Sequence, residues 1–394
     1  MANVSSSNGL EKYPKLRFPG FDEPWKEVEL SSVLKERNEF AEKDGSFEHA
    51  TLSKDGIFGK TARYDRDFLV STENKKYKVT HINDLCYNPA NLKFGVICLN
   101  KYGDAIFSPI YVTFEIQSDY DADFVGENLS RWDFINKALR YQQGTVYERM
   151  AVSSEDFLRV KCYMPSKREQ KKLSRFMGLL DKKIDYQRKY IDVLKKYKRG
   201  LLSFVFNKYI VEDVDSTSYL FSELAQRRKE KYSPSSGIEY PCIELEHIEQ
   251  TTGKILGNAS SITQNSIKTV VKTGDILFGK LRPYLRKFAF AEQDMVCSSE
   301  IWVFIPSDLI MPKFLYYLVQ TEHFLRVANI SSGTKMPRAE WSNIEKELFD
   351  IPNFTIQAKI VEIMEAVDRK IYIADNILNL LTKMKESLLQ QLFI

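Results

Sequence analysis

The feature that most restricts how this chain can fold is an internal duplication. Shifting the sequence by 187 residues places residues 165–206 on residues 352–393 without a gap, and thirteen of those 42 positions are then identical. The identical pairs are Pro165/Pro352, Gln170/Gln357, Lys172/Lys359, Met177/Met364, Asp181/Asp368, Lys183/Lys370, Ile184/Ile371, Leu194/Leu381, Lys196/Lys383, Lys198/Lys385, Leu201/Leu388, Leu202/Leu389 and Phe206/Phe393. A repeat of this kind determines the architecture of the whole chain.

Shorter matches precede both copies of the repeat. Residues 84–87 match 275–278 and residues 108–112 match 299–303 at a shift of 191, and residues 144–145 match 333–334 at a shift of 189. The predicted fold class is therefore α+β, with two mixed α/β regions separated by two long helices in an antiparallel coiled coil and a pseudo-twofold duplication. The predicted segments are an N-terminal arm (1–20), a first globular region (21–160), a first spacer helix (165–207), a second globular region (208–350) and a second spacer helix (352–394).

Both repeat segments have the apolar period of a coiled coil. Alternating steps of four and three residues visit apolar positions through five heptads, interrupted mainly by Lys198 and Lys385, and each segment begins just after a proline. The apolar seam is predicted to contain Leu173, Met177, Leu180, Ile184, Ile191, Leu194 and Leu201, and Ile360, Met364, Val367, Ile371, Leu378, Leu381 and Leu388. Antiparallel pairing within the chain is favoured because it buries both seams. Core packing inside one domain, homodimerisation and docking of the second helix between subunits remain alternatives.

Composition excludes several classes of protein. The net charge is only +4, from 57 basic and 53 acidic residues, so it neither requires nor excludes nucleic acid. Five scattered cysteines and four separated histidines argue against a disulfide framework and against a metal site. The sequence shows no apolar stretch of membrane-spanning length and no signal peptide, which indicates a reducing cytoplasm.

No catalytic motif stands out either. Residues 274–280 fit the start of a phosphate-binding loop, but Leu281 follows where a Ser or Thr should hold magnesium. The loop of base-amino methyltransferases, Asn/Asp-Pro-Pro-Tyr/Phe, is absent. We therefore expect no catalytic centre and no cofactor bound by this chain.

The strongest candidate binding residues lie in the second globular region. Within eight residues, Lys280, Arg282, Tyr284, Arg286 and Lys287 combine four cations with a tyrosine after a β-like run. Arginine can pair with guanine in the major groove, while lysine and tyrosine can hold phosphates. A second cluster near Gly333 adds Lys335 and Arg338. The alternative is an ordinary solvated turn.

The first globular region has corresponding positions with different side chains. At the shift of 191, Asn91 and Lys93 stand where Arg282 and Tyr284 stand. Around the first Gly-Thr pair lie Gln143, Thr145 and Arg149, and Lys60 and Arg63 form a further candidate cluster. A common frame with exchanged polar residues is what two readers of different base sequences would show.

The two repeat helices also differ in charge. Residues 166–200 hold 13 basic and 4 acidic side chains, whereas residues 353–387 hold five of each. The first helix is therefore predicted to present a solvated face, or to face DNA or an acidic partner.

Together these features resemble the specificity subunits of type I restriction-modification systems. The resemblance rests on the N-terminal Pro-Lys-Leu-Arg-Phe-Pro-Gly-Phe followed by Trp25, on the paired motifs above, and on the Pro-x4-Gln starts of both helices. It implies two target recognition domains that each recognise half of a bipartite asymmetric DNA site, and helices that set the spacer and dock two modification subunits. It further implies that S-adenosylmethionine for adenine methylation belongs to the modification subunits, and that ATP and magnesium belong to the restriction subunits that join them for bacterial defence.

Two other interpretations remain at this point. A coiled-coil scaffold without DNA binding would explain the heptads but not the paired loops with exchanged chemistry. An enzyme that uses the region around Lys280 would have to hydrolyse ATP unaided.

Overall fold

The structure, a computed structural model, describes residues 2–3, 13–42, 45–60, 76–143, 150–330 and 336–394. The chain forms two compact units, one made of Met1–Tyr186 with Leu378–Ile394 and the other of Gln187–Ile377. We call these the first unit and the second unit. Each contains one mixed α/β region and a part of each long helix.

Among its described residues, the first unit is built from thirteen short strands, three short α-helices and parts of both long helices. The strands are β1 (Ala2–Asn3), β2 (Leu16–Arg17), β3 (Lys26–Glu29), β4 (Leu34–Glu36), β5 (Phe40–Ala41), β6 (Glu48–Ser53), β7 (Gly56–Gly59), β8 (Tyr77–Thr80), β9 (Leu85–Tyr87), β10 (Ile97–Leu99), β11 (Ala105–Phe107), β12 (Val112–Ile116) and β13 (Lys161–Met164). The helices are α1 (Ala122–Leu129), α2 (Trp132–Ala138), α3 (Ser154–Leu158) and the first part of α4 (Lys167–Phe204).

Two larger sheets and two strand pairs, one of them β1 with β2, organise the described part of the first unit. A four-stranded antiparallel sheet has the order β10-β9-β12-β4, and a five-stranded sheet has the order β5-β8-β11-β6-β7, in which only β11 and β6 run parallel. Strand β13 pairs with β3 and leads directly into α4. Aromatic side chains such as Phe114, Phe124 and Phe157 fill the core beside the four-stranded sheet, and Leu173 and Phe393 of the long helical segments pack into the same cluster.

The second unit contains eleven strands and the remaining helices of the described chain. The strands are β14 (Ser216–Leu220), β15 (Ala225–Arg227), β16 (Lys231–Tyr232), β17 (Pro241–Ile243), β18 (Ala259–Ser260), β19 (Lys268–Val271), β20 (Ile276–Gly279), β21 (Phe288–Phe290), β22 (Met295–Cys297), β23 (Ile301–Pro306) and β24 (Leu348–Pro352). The helices are α5 (Phe221–Leu224), α6 (Pro312–Leu318), α7 (Glu322–Ala328), α8 (Trp341–Ile344) and α9 (Phe354–Leu392), while α4 ends in a π-helical segment, Val205–Asp213.

The second unit repeats the strand order of the first. Its sheets have the orders β21-β20-β23-β15 and β16-β19-β22-β17-β18, and β17 and β22 form the parallel pair that corresponds to β6 and β11. Strand β24 pairs with β14 and leads into α9, as β13 leads into α4. The duplication predicted from the sequence is therefore present in the topology of the strands.

Equivalent ion pairs hold equivalent strands in both units. In the first unit, Arg37 donates two hydrogen bonds to Asp84, at 2.9 and 3.0 Å. In the second unit, Arg228 donates two to Asp275, at 2.7 and 2.9 Å. Both carboxylates are buried. A two-point arginine–carboxylate contact is among the strongest side-chain interactions, so the pair orients each four-stranded sheet.

Buried glutamines attach each long helix to its globular region. The side-chain oxygen of Gln170 accepts a hydrogen bond from the backbone N–H of Asp121 at 2.8 Å, and that of Gln357 accepts one from Met311 at 2.8 Å. Both glutamines also donate to the carbonyl of the proline that precedes their helix, at 2.9 Å. In the Pro-x4-Gln pattern noted in the sequence, the glutamine side chain thus hydrogen-bonds the backbone at the start of each long helix.

The long helices run antiparallel within each unit. In the first unit, Lys385 of α9 contacts Asp181 of α4 at 2.8 Å. In the second unit, Gln187 donates to the carbonyl of Ala374 at 2.9 Å, and Lys198 contacts Asp368 at 2.7 Å. The predicted fold class, with mixed α/β regions and an antiparallel pair of helices, is confirmed.

The structure places the predicted seam residues on the covered faces of these helices. Buried are Leu173, Met177, Leu180, Ile184, Ile191, Leu194, Ile360, Met364, Val367 and Ile371. Half-buried are Leu201, Leu378, Leu381 and Leu388. None of the helices in the described ranges has an apolar stretch long enough to cross a membrane.

Candidate nucleic-acid interface

The basic loop predicted from the sequence connects β20 to the edge strand β21 of the second unit. It contains a short 3-10 turn, Pro283–Leu285, between two residues with left-handed backbone conformation. Arg282 has φ 52° and Arg286 has φ 53°. Left-handed backbone is uncommon for residues other than glycine and costs free energy, so the surrounding structure has to hold it in place.

Backbone hydrogen bonds provide that support. The N–H of Arg282 donates to the carbonyl of Pro337 at 2.8 Å, and the N–H of Gly279 donates to that of Lys287 at 2.8 Å. The carbonyl of Arg286 accepts from Thr251 at 2.9 Å. The loop is therefore a pre-formed structure, and side chains at its tip are presented at a defined position.

The side chains of this loop divide into free and occupied groups. Arg282 and Tyr284 are exposed and Lys280 is half-buried, and none of the three side chains has a polar partner among the described residues. In contrast, Arg286 is paired with Glu322 at 2.8 Å, and Lys287 donates to the carbonyl of Leu245 at 2.5 Å. The free groups are the better candidates for contacting a ligand, because binding would not require breaking an internal contact.

The second predicted cluster meets the first. Leu281 and Arg338 form an isolated antiparallel bridge, which lays the segment after residue 335 along the basic loop. The guanidinium of Arg338 contacts Glu300 at 3.1 Å, and this pairing raises the pKa of Arg338. Arg338 is thus engaged in a surface ion pair, while Lys335 lies outside the described residues.

The corresponding turn of the first unit, Leu92–Phe94, connects β9 to β10. Gly95, with φ 77°, occupies the position of Arg286, and Asn91 occupies that of Arg282 with an ordinary negative φ. Asn91 and Lys93, both candidate DNA-binding residues, have exposed side chains. The Lys93 ammonium lies 5.2 Å from the ring centre of Phe94. The same turn thus presents an amide, an ammonium and an aromatic ring instead of guanidinium and phenol groups.

Two aromatic residues at this turn were not predicted from the sequence. Phe94 is 61% exposed, and Trp132 is 55% exposed with its ring over Gly95, about 3.5 Å from where a side-chain carbon would be. Large exposed rings beside a cation are suited to stacking or to groove contacts. In the sequence, Phe94 stands at the tip of a polar turn, but a cluster of basic residues does not point to it because it is uncharged.

The remaining candidates of the first unit are less well placed. The amide of Gln143 donates to Asp156 at 2.9 Å, and its backbone bridges to Ala151, so Gln143 braces the base of its loop. Lys60 has an exposed side chain at the end of β7, and its backbone N–H donates to His49. Thr145, Arg149 and Arg63 lie outside the described residues.

A cleft rich in basic residues lies beside the basic loop in the second unit. Its lining includes Lys195, Lys196 and Arg199 of α4 together with Thr251 and Arg286, and it also includes Asp192 and Asp368. The excess of basic residues in α4 is therefore partly concentrated next to the predicted binding loop. Such a positive concavity attracts anions such as phosphate groups.

Comparison with known proteins shows which proteins the chain is similar to. Residues 217–383 match the family model described as type I restriction modification DNA specificity domain. The HindI specificity subunit of Haemophilus influenzae is 29% identical over 135 residues, which are 32% of this chain and 29% of that protein. The MjaVIII specificity subunit of Methanocaldococcus jannaschii is 23% identical over 250 residues, which are 56% of this chain and 58% of that protein. Residues 217–383 therefore match the type I DNA specificity domain, and parts of the chain are similar to type I specificity subunits.

A solved structure shows the same fold. The crystal structure of a type I specificity subunit from M. genitalium covers 97% of this chain and 99% of its own length, with a TM-score of 0.56 and 15% identity. The match to the family model runs from β14 into α9, and so contains the basic loop of the second unit. The sequence alignments span less than two thirds of the HindI and MjaVIII subunits.

Both long helices also expose apolar side chains away from the seam. On α4 these include Leu179, Tyr186, Tyr190, Val193 and Tyr197, and on α9 they include Ile363, Tyr372, Ile373, Ile377, Leu380 and Met384. Rows of exposed large apolar residues mark surfaces that other proteins cover.

Proposed function

We propose that this chain is the DNA sequence-specificity subunit of a type I restriction-modification complex. Each mixed α/β region acts as a target recognition domain that recognises one half of a bipartite, asymmetric DNA site. The long helices set the spacer between the halves and dock the modification subunits. The proposal assigns no catalytic step to this chain.

The observation that carries this proposal is the pair of equivalent turns. Arg282 and Tyr284 occupy the tip in the second unit, and Asn91 and Lys93 occupy it in the first, on the same strand order. Arginine pairs best with guanine and asparagine with adenine. Two copies of one scaffold with different base-pairing groups at the same point are suited to an asymmetric sequence.

Phosphate contacts would supply affinity without sequence preference. The cleft lined by Lys195, Lys196 and Arg199 lies beside the loop with Arg282, so a duplex held by the loop could place its backbone there. Each phosphate neutralised by a cation releases counterions, and binding then weakens as salt increases. Salt-dependent affinity and base-dependent discrimination are thus assigned to different side chains.

The exposed apolar faces of α4 and α9 supply the docking surface for modification subunits. Val193 and Tyr197 on α4 are more than half exposed, although the seam on the same helix is covered. Helices that lay their own apolar faces on this surface would bury it. In the assembled complex, S-adenosylmethionine for adenine methylation belongs to the modification subunits, ATP and magnesium belong to the restriction subunits, and the whole functions in the cytoplasm.

A scaffold that binds no DNA explains these observations less well. It accounts for the seam and for the apolar faces, but it requires no pre-formed loop that holds Arg282 in a left-handed conformation. It also leaves the basic cleft beside that loop without a role.

Methylation mapping tests the proposal directly. A host lacking other methyltransferases receives the chain together with its modification subunit, and adenine methylation is mapped over the genome. We expect one bipartite asymmetric motif with a fixed spacer, and no methylation when the chain is omitted. Methylation that does not depend on the chain, or that follows an undivided motif, would contradict the proposed function.

A further inference from the structure

Both long helices interrupt their apolar seams with a lysine at the same position of the repeat. These residues are Lys198 on α4 and Lys385 on α9, and each lies against an aspartate that is also repeated, Asp368 and Asp181. We call the two contacts the seam ion pairs. The spacing from Asp181 to Lys198 equals that from Asp368 to Lys385, so both pairs require the same antiparallel register.

The seam ion pair of the second unit is almost completely enclosed. The Lys198 side chain is 7% exposed and its Nζ lies 2.7 Å from Oδ1 of Asp368. The hydroxyl of Tyr317 in α6 donates to the other oxygen of Asp368 at 2.9 Å, and the Lys198 ammonium is 5.5 Å from the centre of the Tyr317 ring. Among the described residues the Lys198 ammonium makes no well-aligned hydrogen bond, and its contact with Asp368 is an ion pair. Its charge is therefore compensated mainly by Asp368.

The seam ion pair of the first unit has the same arrangement with a different third member. Nζ of Lys385 lies 2.8 Å from Oδ1 of Asp181 and 3.4 Å from Oε1 of Glu127 in α1. Burial lowers the pKa of Lys385, but the carboxylates of Glu127 and Asp181 outweigh it, and the net effect is a raised pKa. In both units the pair is thus also connected to the globular region, through Glu127 or through Tyr317.

An apolar seam alone defines the register of two helices weakly, because a shift by one heptad again places apolar residues opposite one another. Charged residues remove that freedom. A shift that brought Asp375 opposite Lys198 would bring Arg188 opposite Lys385. The opposite shift would offer Val361 and Ser174, leaving both lysines without a carboxylate. Leaving a buried charge without a counter-charge is strongly unfavourable, and of these three registers only the observed one places a carboxylate opposite both lysines.

We propose that the two seam ion pairs are specificity-determining residues for the DNA spacer. They hold the antiparallel helices in one register, and the register determines how far apart the two recognised half-sites lie. The statement about DNA rests on the proposed function, whereas the statement about register stands on the helix contacts alone.

The test replaces each pair by leucines, in the variants Asp181→Leu/Lys385→Leu and Lys198→Leu/Asp368→Leu. Replacing a buried ion pair by apolar groups of similar size often leaves stability unchanged or increased, so these variants are expected to fold. The matched control is Lys313→Ala/Glu365→Ala, which removes an ion pair between α6 and α9 that does not link the two long helices. Thermal unfolding is recorded for all variants.

The first measurement reports register without DNA. Cysteines are introduced as Gln187→Cys and Ala374→Cys, at positions that are adjacent in the observed register, and the cross-linked peptide is quantified after mild oxidation. We expect the yield to fall about threefold or more in the leucine variants and to stay unchanged in the control. Equal yields in all variants would overturn the register role.

The second measurement uses the complex with modification subunits and maps adenine methylation. We expect the leucine variants to keep both half-sequences and to lose at least about tenfold of their preference for one spacer length, because a shifted register no longer leaves a buried charge without a counter-charge. An unchanged spacer preference despite reduced cross-linking would overturn the role in specificity. If the unaltered complex methylates no bipartite site, the proposed function fails together with the spacer role, and the cross-link yields still decide the register.

Discussion

The two turns that connect β9 to β10 and β20 to β21 differ in the residue that adopts the left-handed conformation after the 3-10 turn. The first unit uses Gly95 at the left-handed position, where glycine adopts φ 77° without strain. The second unit places Arg286 there, at φ 53°, and ties its side chain to Glu322. An arginine in this position has to be held by its surroundings, which the hydrogen bond from Thr251 provides.

The parts below these turns do not differ in this way. Arg37 with Asp84 and Arg228 with Asp275 make the same two-point contact in equivalent strands. The presented tips therefore differ, while this supporting ion pair is common to both copies. This division of roles leads to predictions that treat the two units as controls for each other.

The largest effect on stability is expected when the arginine–aspartate ion pair common to both units is broken. Asp275→Ala leaves the Arg228 guanidinium, which is 15% exposed, without its main carboxylate. We expect a loss of about 3 kcal/mol in the free energy of unfolding of the second unit, because a partly buried charge is left uncompensated. Hydrogen–deuterium exchange with mass spectrometry measures the loss separately for each unit. Asp84→Ala should produce the same loss in the first unit, and a clearly smaller one would disprove the equivalence.

Substitutions at the tips of the two turns are expected to have a smaller effect, which is confined to DNA binding. Arg282→Ala removes an exposed guanidinium without a polar partner among the described residues, so folding should be unaffected. We expect DNA binding to weaken by about 1–3 kcal/mol, with relaxed recognition in one half-site. Asn91→Ala is the matched variant and should relax the other half-site. Competition binding with duplexes altered in one half at a time measures both, and a uniform loss over all duplexes would rule out a base-reading role for Arg282.

The third prediction exchanges the left-handed residues. Gly95→Arg gives the first unit the residue of the second, but without an acceptor placed like Glu322. We expect the free energy of unfolding to fall by about 1 kcal/mol, because left-handed backbone is unfavourable by about this amount in residues other than glycine. Arg286→Gly should change stability by less than about 0.5 kcal/mol, since relief of strain offsets the added freedom of the unfolded chain and the loss of a surface ion pair. Urea unfolding followed by exchange of the β9–β10 and β20–β21 peptides checks both values.

Much of the architecture could be predicted because it rests on local patterns. The heptads around Met177 and Met364 define a seam by spacing alone, and the Pro-x4-Gln pattern marks the start of each helix. The antiparallel arrangement followed from burying both seams. Strand pairing was harder to predict from the sequence. The parallel contacts between β6 and β11 and between β17 and β22 each join segments that are far apart in the chain.

The site was only partly predictable for a similar reason. A cluster of cations in the sequence does not show which of them are neutralised by distant residues. Arg286, Lys287 and Arg338 find acceptors from 36 to 42 residues away, whereas Arg282 has none in the described part of the chain. The exposed rings of Phe94 and Trp132 were missed because aromatic residues are usually assigned to the core.

The smallest expected effect concerns pH and again separates the two units. His81 lies between the carboxylates of Glu39, at 3.1 Å, and Asp104, at 3.0 Å, and its counterpart in the second unit is Lys272, paired with Asp294 at 2.8 Å. Burial lowers the pKa of His81, but the two carboxylates outweigh it and the pKa is raised above its ordinary value of 6.5. For Lys272, the contact with Asp294 raises a pKa that is already far above neutrality.

A raised pKa means that the folded protein binds the proton more tightly than the unfolded chain does. The stabilisation from His81 is therefore fully present below about pH 6.5 and is lost as the pH rises through the higher pKa of the folded state. Its size is limited to about a few tenths of a kcal/mol, because both carboxylates are largely exposed. Urea unfolding of the whole chain and of His81→Gln between pH 5.5 and 8 should show a difference at the acid end that disappears at the alkaline end. Lys272→Gln should show no such change over this range, because an amine paired with Asp294 stays protonated throughout. A pH-dependent difference in stability for Lys272→Gln, or no pH-dependent difference for His81→Gln, would contradict the prediction that only His81 titrates in this range.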